Sequence, residues 1–313
     1  MTGLAGENAH EHAGVAGPAR EAAAAPQAAT ASARGRLEGT RLPPPRGWQQ
    51  WTLVGLGVAL AILLLIVPLA LIFVQALSGG WQLLLANLSE GYMQHALGLT
   101  LLATAVTVPI NLVFGVLFAW LVTRYDFRGR KLLVTLIDIP YATSPVVAGL
   151  CYLVTYGGES VIGGWLSGHD VQLMFAWPGI IMVTIFVTSP YVARILIPLM
   201  QKQDGEEESA AMLLGANGRQ IFWRVTLPNI KWALLYGVMI TNARAVGEFG
   251  AVAVVSGTIM NQTLTLPLLV EQLNNDYKTA AAFTAASLLA LMALLTLVLK
   301  TIMESKGGGS ALH

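Results

Sequence analysis

Charge is what this chain has least of. Only 11% of its 313 residues are Asp, Glu, Lys or Arg, against about 25% in a typical soluble domain. With 55% hydrophobic residues and a mean hydropathy of +0.63, the composition argues against a soluble globule and for a protein embedded in a bilayer. A net charge of +1 provides no electrostatic footprint for nucleic acid. Cysteine is nearly absent. Cys151 stands alone in an apolar run, so no intrachain disulfide can form and the redox compartment is not legible. The chain also contains no Gly-Lys dipeptide, which excludes a GxxxxGK[ST] phosphate loop. HExxH, GxSxG and CxxC are missing as well. The chain is therefore read as a non-enzyme with no cofactor and no metal site, and any ATP chemistry has to come from another polypeptide.

The first 46 residues differ from the rest, being rich in Ala, Gly, Pro, Glu and Arg without apolar periodicity. They read as a disordered tail. The first apolar run begins near Thr52 and is too long for a signal-peptide core. Glu7, Glu11, Glu21 and Glu38 speak against an organellar transit peptide. Beyond the tail, charges punctuate the chain. None occurs between Arg46 and Glu90, or between Glu90 and Arg124, and each interval holds one run long enough to cross hydrocarbon. Six spans are expected, at about 52–77, 97–121, 132–155, 176–197, 232–256 and 280–302. They form one membrane domain over 47–303, followed by a short tail over 304–313.

Lys and Arg set the orientation. Arg34, Arg36, Arg41 and Arg46 precede the first span; Arg124, Arg128, Arg130 and Lys131 follow the second; Lys202, Arg219, Arg224 and Lys231 follow the fourth; Lys300 and Lys306 end the sixth. The other three loops, about 78–96, 156–175 and 257–279, hold only Lys278. The expected fold is all-α, with both termini and the loop around 203–230 in the cytoplasm.

That loop is unusual. "GEEESAAMLLGANGRQIFWRVTLPNI", 205–230, opens on Glu206, Glu207 and Glu208, which suit the positive end of a helix dipole. Ala210, Ala211, Leu213 and Leu214 would share one side of that helix. Either Gly215 or Gly218 can take positive φ and turn the chain. A second short helix, about 218–226, would present Ile221, Phe222 and Val225, and Pro228 marks the start of the fifth span. A helix lying on the membrane should be rich in Lys and Arg on its polar face, whereas three consecutive Glu suit docking into a groove of a cytosolic protein.

The same stretch resembles the signature loop of ABC-importer permeases: Glu-Ala-Ala, three residues, Gly, nine residues, Ile, one residue, Leu-Pro. Here it reads Ser209-Ala210-Ala211, three residues, Gly215, nine residues, Val225-Thr226-Leu227-Pro228. Ser209 stands where the family has Glu, with Glu208 adjacent as a substitute carboxylate, and Val225 replaces Ile. The resemblance implies the type I importer permease architecture. It also implies that this loop is a coupling helix seated on a cytosolic ATPase present in two copies, and that the chain pairs with a second permease of the T type. "LIDIPYATSPVVAGL", 136–150, and "ARAVGEFGAVAVVSG", 243–257, resemble the oxyanion permeases that carry sulfate, thiosulfate or molybdate. The run 263–300 is most similar to the W-type sulfate/thiosulfate group, which implies an extracytoplasmic sulfate-binding protein and a bacterial inner membrane location.

Several residues within the spans are candidates for a role in the path. Arg244 and Glu248 are four apart in apolar sequence, where ionisable groups are expensive unless paired or facing a cavity. They read either as a packing ion pair, which exchange of the two residues should restore, or as an attractive field for a dianion. Gly247 and Gly250 beside Glu248 suggest close helix approach. Asp138 is placed near the cytoplasmic interface, and Pro140 and Pro145 should kink the third span and free backbone groups to line a path. Two other classes stay open: an ATP-independent transporter, which should show paired broken helices and mid-membrane carboxylates, and a scaffold whose loop recruits some other protein.

The charge asymmetry makes a direct topological prediction. In a Cys151→Ser background, a cysteine introduced at Ser167 should react with an impermeant thiol reagent added outside, and one at Gln220 only in broken cells. Labelling of the Gln220 position from outside would overturn the orientation.

Overall fold

The computed structural model describes residues 47–306, except Asp204. The disordered tail expected over 1–46 lies outside the described residues, as does 307–313. The chain divides into two units, 1–65 and 66–313. The described part of the first is an apolar helix, α1 (Trp48–Ala61), passing into a π-helical turn that begins at Ile62. In the second unit the elements are α2 (Val67–Leu77), α3 (Trp81–Ser89), α4 (Gly91–Arg124), α5 (Arg130–Ala142), α6 (Pro145–Tyr156), α7 (Val161–Ser167), α8 (Trp177–Thr188) and α9 (Pro190–Lys202). They continue with α10 (Glu206–Leu213), α11 (Gly218–Ile221), α12 (Leu227–Val246), α13 (Gly250–Val255), α14 (Leu266–Asn275) and α15 (Thr279–Lys306). Every regular element among the described residues is helical.

Proline sets several of these starts. Pro145, Pro178 and Pro267 each fall in the first two positions of a helix that follows an extended residue, where the missing N–H removes no bond, whereas Pro68, Pro190 and Pro228 follow helical residues inside longer helical runs. Proline also explains where one span fails to run straight. Ser144, held extended at φ −62° and ψ 135° by the pyrrolidine ring that follows it, separates α5 from α6, and the two halves meet at 105°. Pro145 thus opens a new helix instead of kinking an existing one, while Pro140 stays inside α5.

Among the described residues, four helical runs are long and apolar enough to cross a membrane: Trp51–Leu77, Gly91–Arg124, Trp177–Lys202 and Thr279–Met303; the bent α5–α6 pair makes a fifth if counted as one. The fifth span, expected over 232–256, is divided. α12 ends at Val246, and Gly247, Glu248 and Phe249 interrupt the helix before α13 begins. Three loops expected to be irregular carry α3, α7 and α14. In α14, Leu266, Leu268, Leu269 and Leu273 are among the most buried side chains of the described residues, so this segment belongs to the core. The final helix extends to Lys306, past the boundary expected at 303.

The core forms where α4, α8, α13 and α14 meet, around Leu99, Ile180, Val183, Val252 and Leu269. A second cluster joins α4, α9 and α12 through Val116, Val192, Leu196, Met200 and Ile230. Helices in lipid associate through close packing of small residues, and glycines supply it here. A Cβ on Gly115 would lie 2.6 Å from the Val192 side chain, and one on Gly149 would lie 2.7 Å from the Ala251 carbonyl. Gly250 is nearly as tight against Pro145 and Val146. The two interrupted helices therefore abut near their breaks.

Gly149→Ala should lower the thermal unfolding midpoint in detergent, with overpacking costing about 1–3 kcal/mol. Gly98, with open space around its Cα, should tolerate alanine unchanged or gain up to ~1 kcal/mol of helix propensity. Indistinguishable midpoints for the two variants would remove the α6–α13 contact from the fold.

Candidate functional site

α4 has 34 residues, about 51 Å at 1.5 Å each, well beyond the ~30 Å of hydrocarbon. Its last residue, Arg124, reaches the loop between α9 and α12. There Arg124 Nε lies 2.6 Å from Glu208 Oε2 and Arg124 Nη1 donates to the Met200 carbonyl at 3.1 Å. Thr226 Oγ1 donates to the other Glu208 oxygen at 2.7 Å, and Asn229 Nδ2 donates to Glu207. One carboxylate thus joins the ends of α4 and α9 to both arms of the loop. Arg124 was not singled out from the sequence, although its place at the end of a charge-free run was visible.

The loop turns at Gly215, φ +86°, which decides between the two glycines considered. Gly218 instead opens α11, behind a reciprocal cap in which Asn217 Oδ1 accepts from the Gln220 N–H and Gln220 Oε1 accepts from the Asn217 N–H. The expected helix over 218–226 is α11 plus a π turn, Phe222–Thr226. Leu227 N–H bonds five residues back to Phe222 O, a wider loop that accommodates Pro228, which has no N–H to bond four back. The backbone runs helically into α12, so Pro228 lies in a continuous rod and does not begin a separate one.

The apolar face also differs from expectation. Ile221 is buried, and Phe222 packs on the α4–α9–α12 cluster with its ring 5.7 Å from Trp120. What stays bare is the end of α10: Leu213 and Leu214 are 90% and 89% exposed, with Met212 and Trp223 beside them in exposure. Ala210 is exposed and Ala211 half-buried, and Val225 and Leu227 are half-buried in the second arm. Ser209 is exposed, its hydroxyl donating to the Gly205 carbonyl within the helix. Both Glu208 oxygens are committed inside the chain.

Within the apolar region, Arg244 Nη1 and Glu248 Oε2 form an ion pair at 2.6 Å. The Glu248 side chain is 1% exposed and the Arg244 side chain 29%. Glu248 Oε1 accepts the Ala251 N–H at 3.0 Å, so the carboxylate caps the restart of the helix at α13. This changes what exchange of the two residues would do. Arginine has no acceptor and could not hold the Ala251 N–H, so a packing pair would not be rescued by the swap. Gly247 ends α12 and Gly250 begins α13.

Asp138, on α5, accepts from Arg194 Nε on α9 at 2.8 Å. The Arg194 guanidinium lies 4.0 Å over the Tyr141 ring, which meets the Tyr191 ring edge-on at 6.2 Å. Sequence reasoning passed over Arg194, although it is a charge inside the fourth apolar run, the criterion that singled out Arg244.

Residues 111–306 match the family of binding-protein-dependent transport system inner membrane components. The sulfate transport system permease protein CysW of Escherichia coli (strain K12) is 56% identical over 260 residues, covering 83% of this chain and 89% of that protein. The CysT permease protein of the same strain is 35% identical over 250 residues, covering 78% and 90%. A chain from the crystal structure of a bacterial alginate ABC transporter, in complex with an alginate pentasaccharide-bound periplasmic protein, superposes with a TM-score of 0.71 at 15% identity, covering 85% and 97%, a likeness of fold. On the extent of the first two matches, the chain belongs to the family of binding-protein-dependent transport system inner membrane components.

Proposed function

We propose that this chain is a permease subunit of an ATP-driven sulfate or thiosulfate importer of the bacterial inner membrane. It would form the path with a second, T-type permease, receive substrate from an extracytoplasmic sulfate-binding protein, and couple to two cytosolic ATPases through 205–228. The observation that carries the coupling reading is the bare apolar end of α10, Leu213 and Leu214, held on a scaffold of partly buried polar bonds. A solvated apolar tip on a rigid support is what a groove-binding helix presents. Identity to a sulfate permease over most of the chain supports the substrate class, and similarity to CysT supports a second permease of related fold. Molybdate or tungstate is the alternative cargo, because tetrahedral dianions of similar charge ask for similar donors.

In this reading the membrane is crossed six times, with both termini inside. The bent α5–α6 pair and the interrupted α12–α13 pair supply the third and fifth crossings. Two interrupted helices also suit an ATP-independent transporter, but family membership and the loop favour an ATP-driven subunit with no ATPase chemistry of its own. Ser209, Ala210, Ala211 and Gly215 shape the docking arm, while Glu208, Val225, Leu227 and Pro228 fix its root. Arg244, Glu248, Gly247 and Gly250 hold the break between α12 and α13, and Asp138, Pro140 and Pro145 the α5 side of the other.

Two substitutions separate the turn from the face. Gly215→Glu forces a side chain onto positive φ and Leu213→Asp puts charge on the exposed tip. Both chains should insert at normal level, while ATPase co-purification and ATP-dependent sulfate uptake fall together, by tenfold or more if docking loses ~1.4 kcal/mol. Normal uptake by both would mean that 205–228 does not couple the subunits.

A further inference from the structure

Four ion pairs are present among the described residues, and one differs from the rest in where it faces. Arg124–Glu208 and Arg130–Asp126 lie at the charged ends of helices, and Arg244–Glu248 has its carboxylate sealed inside the core. Arg194–Asp138 is open on both sides, with side chains 41% and 39% exposed. Yet Arg194 stands eight residues before Lys202 in a 26-residue apolar run, about 12 Å along the helix axis. An open charge at that depth does not face lipid. It faces a water-filled path or another protein.

The cluster is built to hold an anion loosely. Asp138 engages the guanidinium through a single Nε contact, not the paired contact that makes an arginine–carboxylate bond hard to exchange. Tyr141, one turn beyond Asp138, supports one guanidinium face, which fixes the plane of the fork without supplying a competing charge. Tyr191 backs Tyr141. The other face and edge of the guanidinium remain accessible, consistent with the exposure of the side chain.

We propose that Arg194, with Tyr141 beneath it and Asp138 beside it, is a transit site for the tetrahedral dianion. The oxyanion takes the place of Asp138 on the guanidinium, and Asp138 reclaims it as the anion leaves. This rests on the reading that the chain conducts sulfate or a related oxyanion. Asp138 has two effects. It keeps Arg194 neutralised when the path is empty, and its charge repels the bound dianion, so the site releases what it holds. Binding favourable enough to enter and weak enough to leave is the general condition for conduction. Glu248 cannot play this part toward Arg244, because its second oxygen is committed to the Ala251 N–H.

The test uses the full assembly, both permeases and the ATPases, reconstituted in vesicles with labelled sulfate, thiosulfate and molybdate. Uptake of at least one of the three by wild type keeps the substrate class, and the variants are then compared with that anion. Uptake of none overturns the substrate reading and this site with it. Asp138→Asn should lower both the apparent KM and kcat, several-fold each, because the anion binds more tightly and leaves more slowly. Arg194→Gln should cut uptake tenfold or more while the subunits still co-purify, and Arg194→Lys, keeping charge without the fork, should fall between. The Asp138→Asn/Arg194→Gln double variant should stay as slow as Arg194→Gln. If the pair only packs this chain or joins it to the second permease, the double variant removes both charges and restores uptake and assembly, which overturns the proposal. An unchanged KM in Asp138→Asn overturns it as well. Should Arg194→Gln fail to assemble, the comparison of Asp138→Asn with Arg194→Lys decides, through the opposite directions of their KM changes. KM moving the same way in both would sink the site.

Discussion

A backbone inside hydrocarbon has no water to bond, so every interruption of a helix has to find its hydrogen-bond partners within the protein. The arrangement of this chain follows from how that demand is met. Pro190 has no N–H for the Phe186 carbonyl, and Ser189 fills in with both its N–H and its hydroxyl. The shift leaves the Ile185 carbonyl, which takes the side-chain amide of Asn111 from α4 at 3.3 Å, while the same amide donates to Thr188 Oγ1 at 2.6 Å. The first N–H of α14 goes to Thr100 Oγ1, 166 residues away in sequence, and the restart at α13 goes to Glu248. Each bond satisfies a broken helix and fixes a neighbour at the same time. α4, which contributes both Asn111 and Thr100, is the common member.

The same helix carries the consequence to the end that bears the 205–230 loop. Arg124 ends α4, Met200 belongs to α9, and Glu208 and Thr226 lie on the two arms of the loop. A displacement of the exposed tip at Leu213 and Leu214 is therefore not absorbed by a slack loop. It acts on a half-buried carboxylate tied to two core helices, and the continuous rod from Gly218 through the π turn into α12 offers a third route. α12 ends at the Arg244–Glu248 break. Motion at the loop can thus reach a break without any element having to bend along the way. The π turn is the soft place in that rod, its backbone bonds already rearranged around Pro228.

How much of this was legible in the sequence depended on the range of the forces involved. Long apolar runs poor in charge located the helices Trp51–Leu77, Gly91–Arg124, Trp177–Lys202 and Thr279–Met303, because hydrocarbon penalises charge residue by residue. A glycine turn at Gly215 or Gly218 and the acidic first turn of α10 were local facts and could be read as such, and the fold places the positive φ at Gly215. The breaks were not. Gly247-Glu248-Phe249 interrupts a helix because Glu248 prefers the Ala251 N–H and Gly250 has to fit against Pro145, and both reasons are tertiary. α14 was taken for loop because Asn, Gln and Thr surround its leucines, whose burial depends on contacts with α4 and α15. Ile221 and Phe222 looked like a free face, but Ile221 is buried in the fold and α4 supplies Trp120 as the cover of Phe222.

The two intramembrane arginines show why exposure matters more than the presence of a pair. Read as sequence, Arg244 is the stronger candidate, since its carboxylate is four residues away on the same segment. In the fold that carboxylate is sealed and bonded to backbone, so its pairing is part of the frame, and removing it would break a helix cap before it changed any field. Arg194 has a partner 56 residues distant, which no local pattern would supply, and both members remain open. A pair that closes a frame and a pair that can exchange partners are chemically the same two groups. What separates them is the second oxygen: the backbone N–H of Ala251 holds it at Glu248, whereas the side chain of Asp138 stays open beside a single contact.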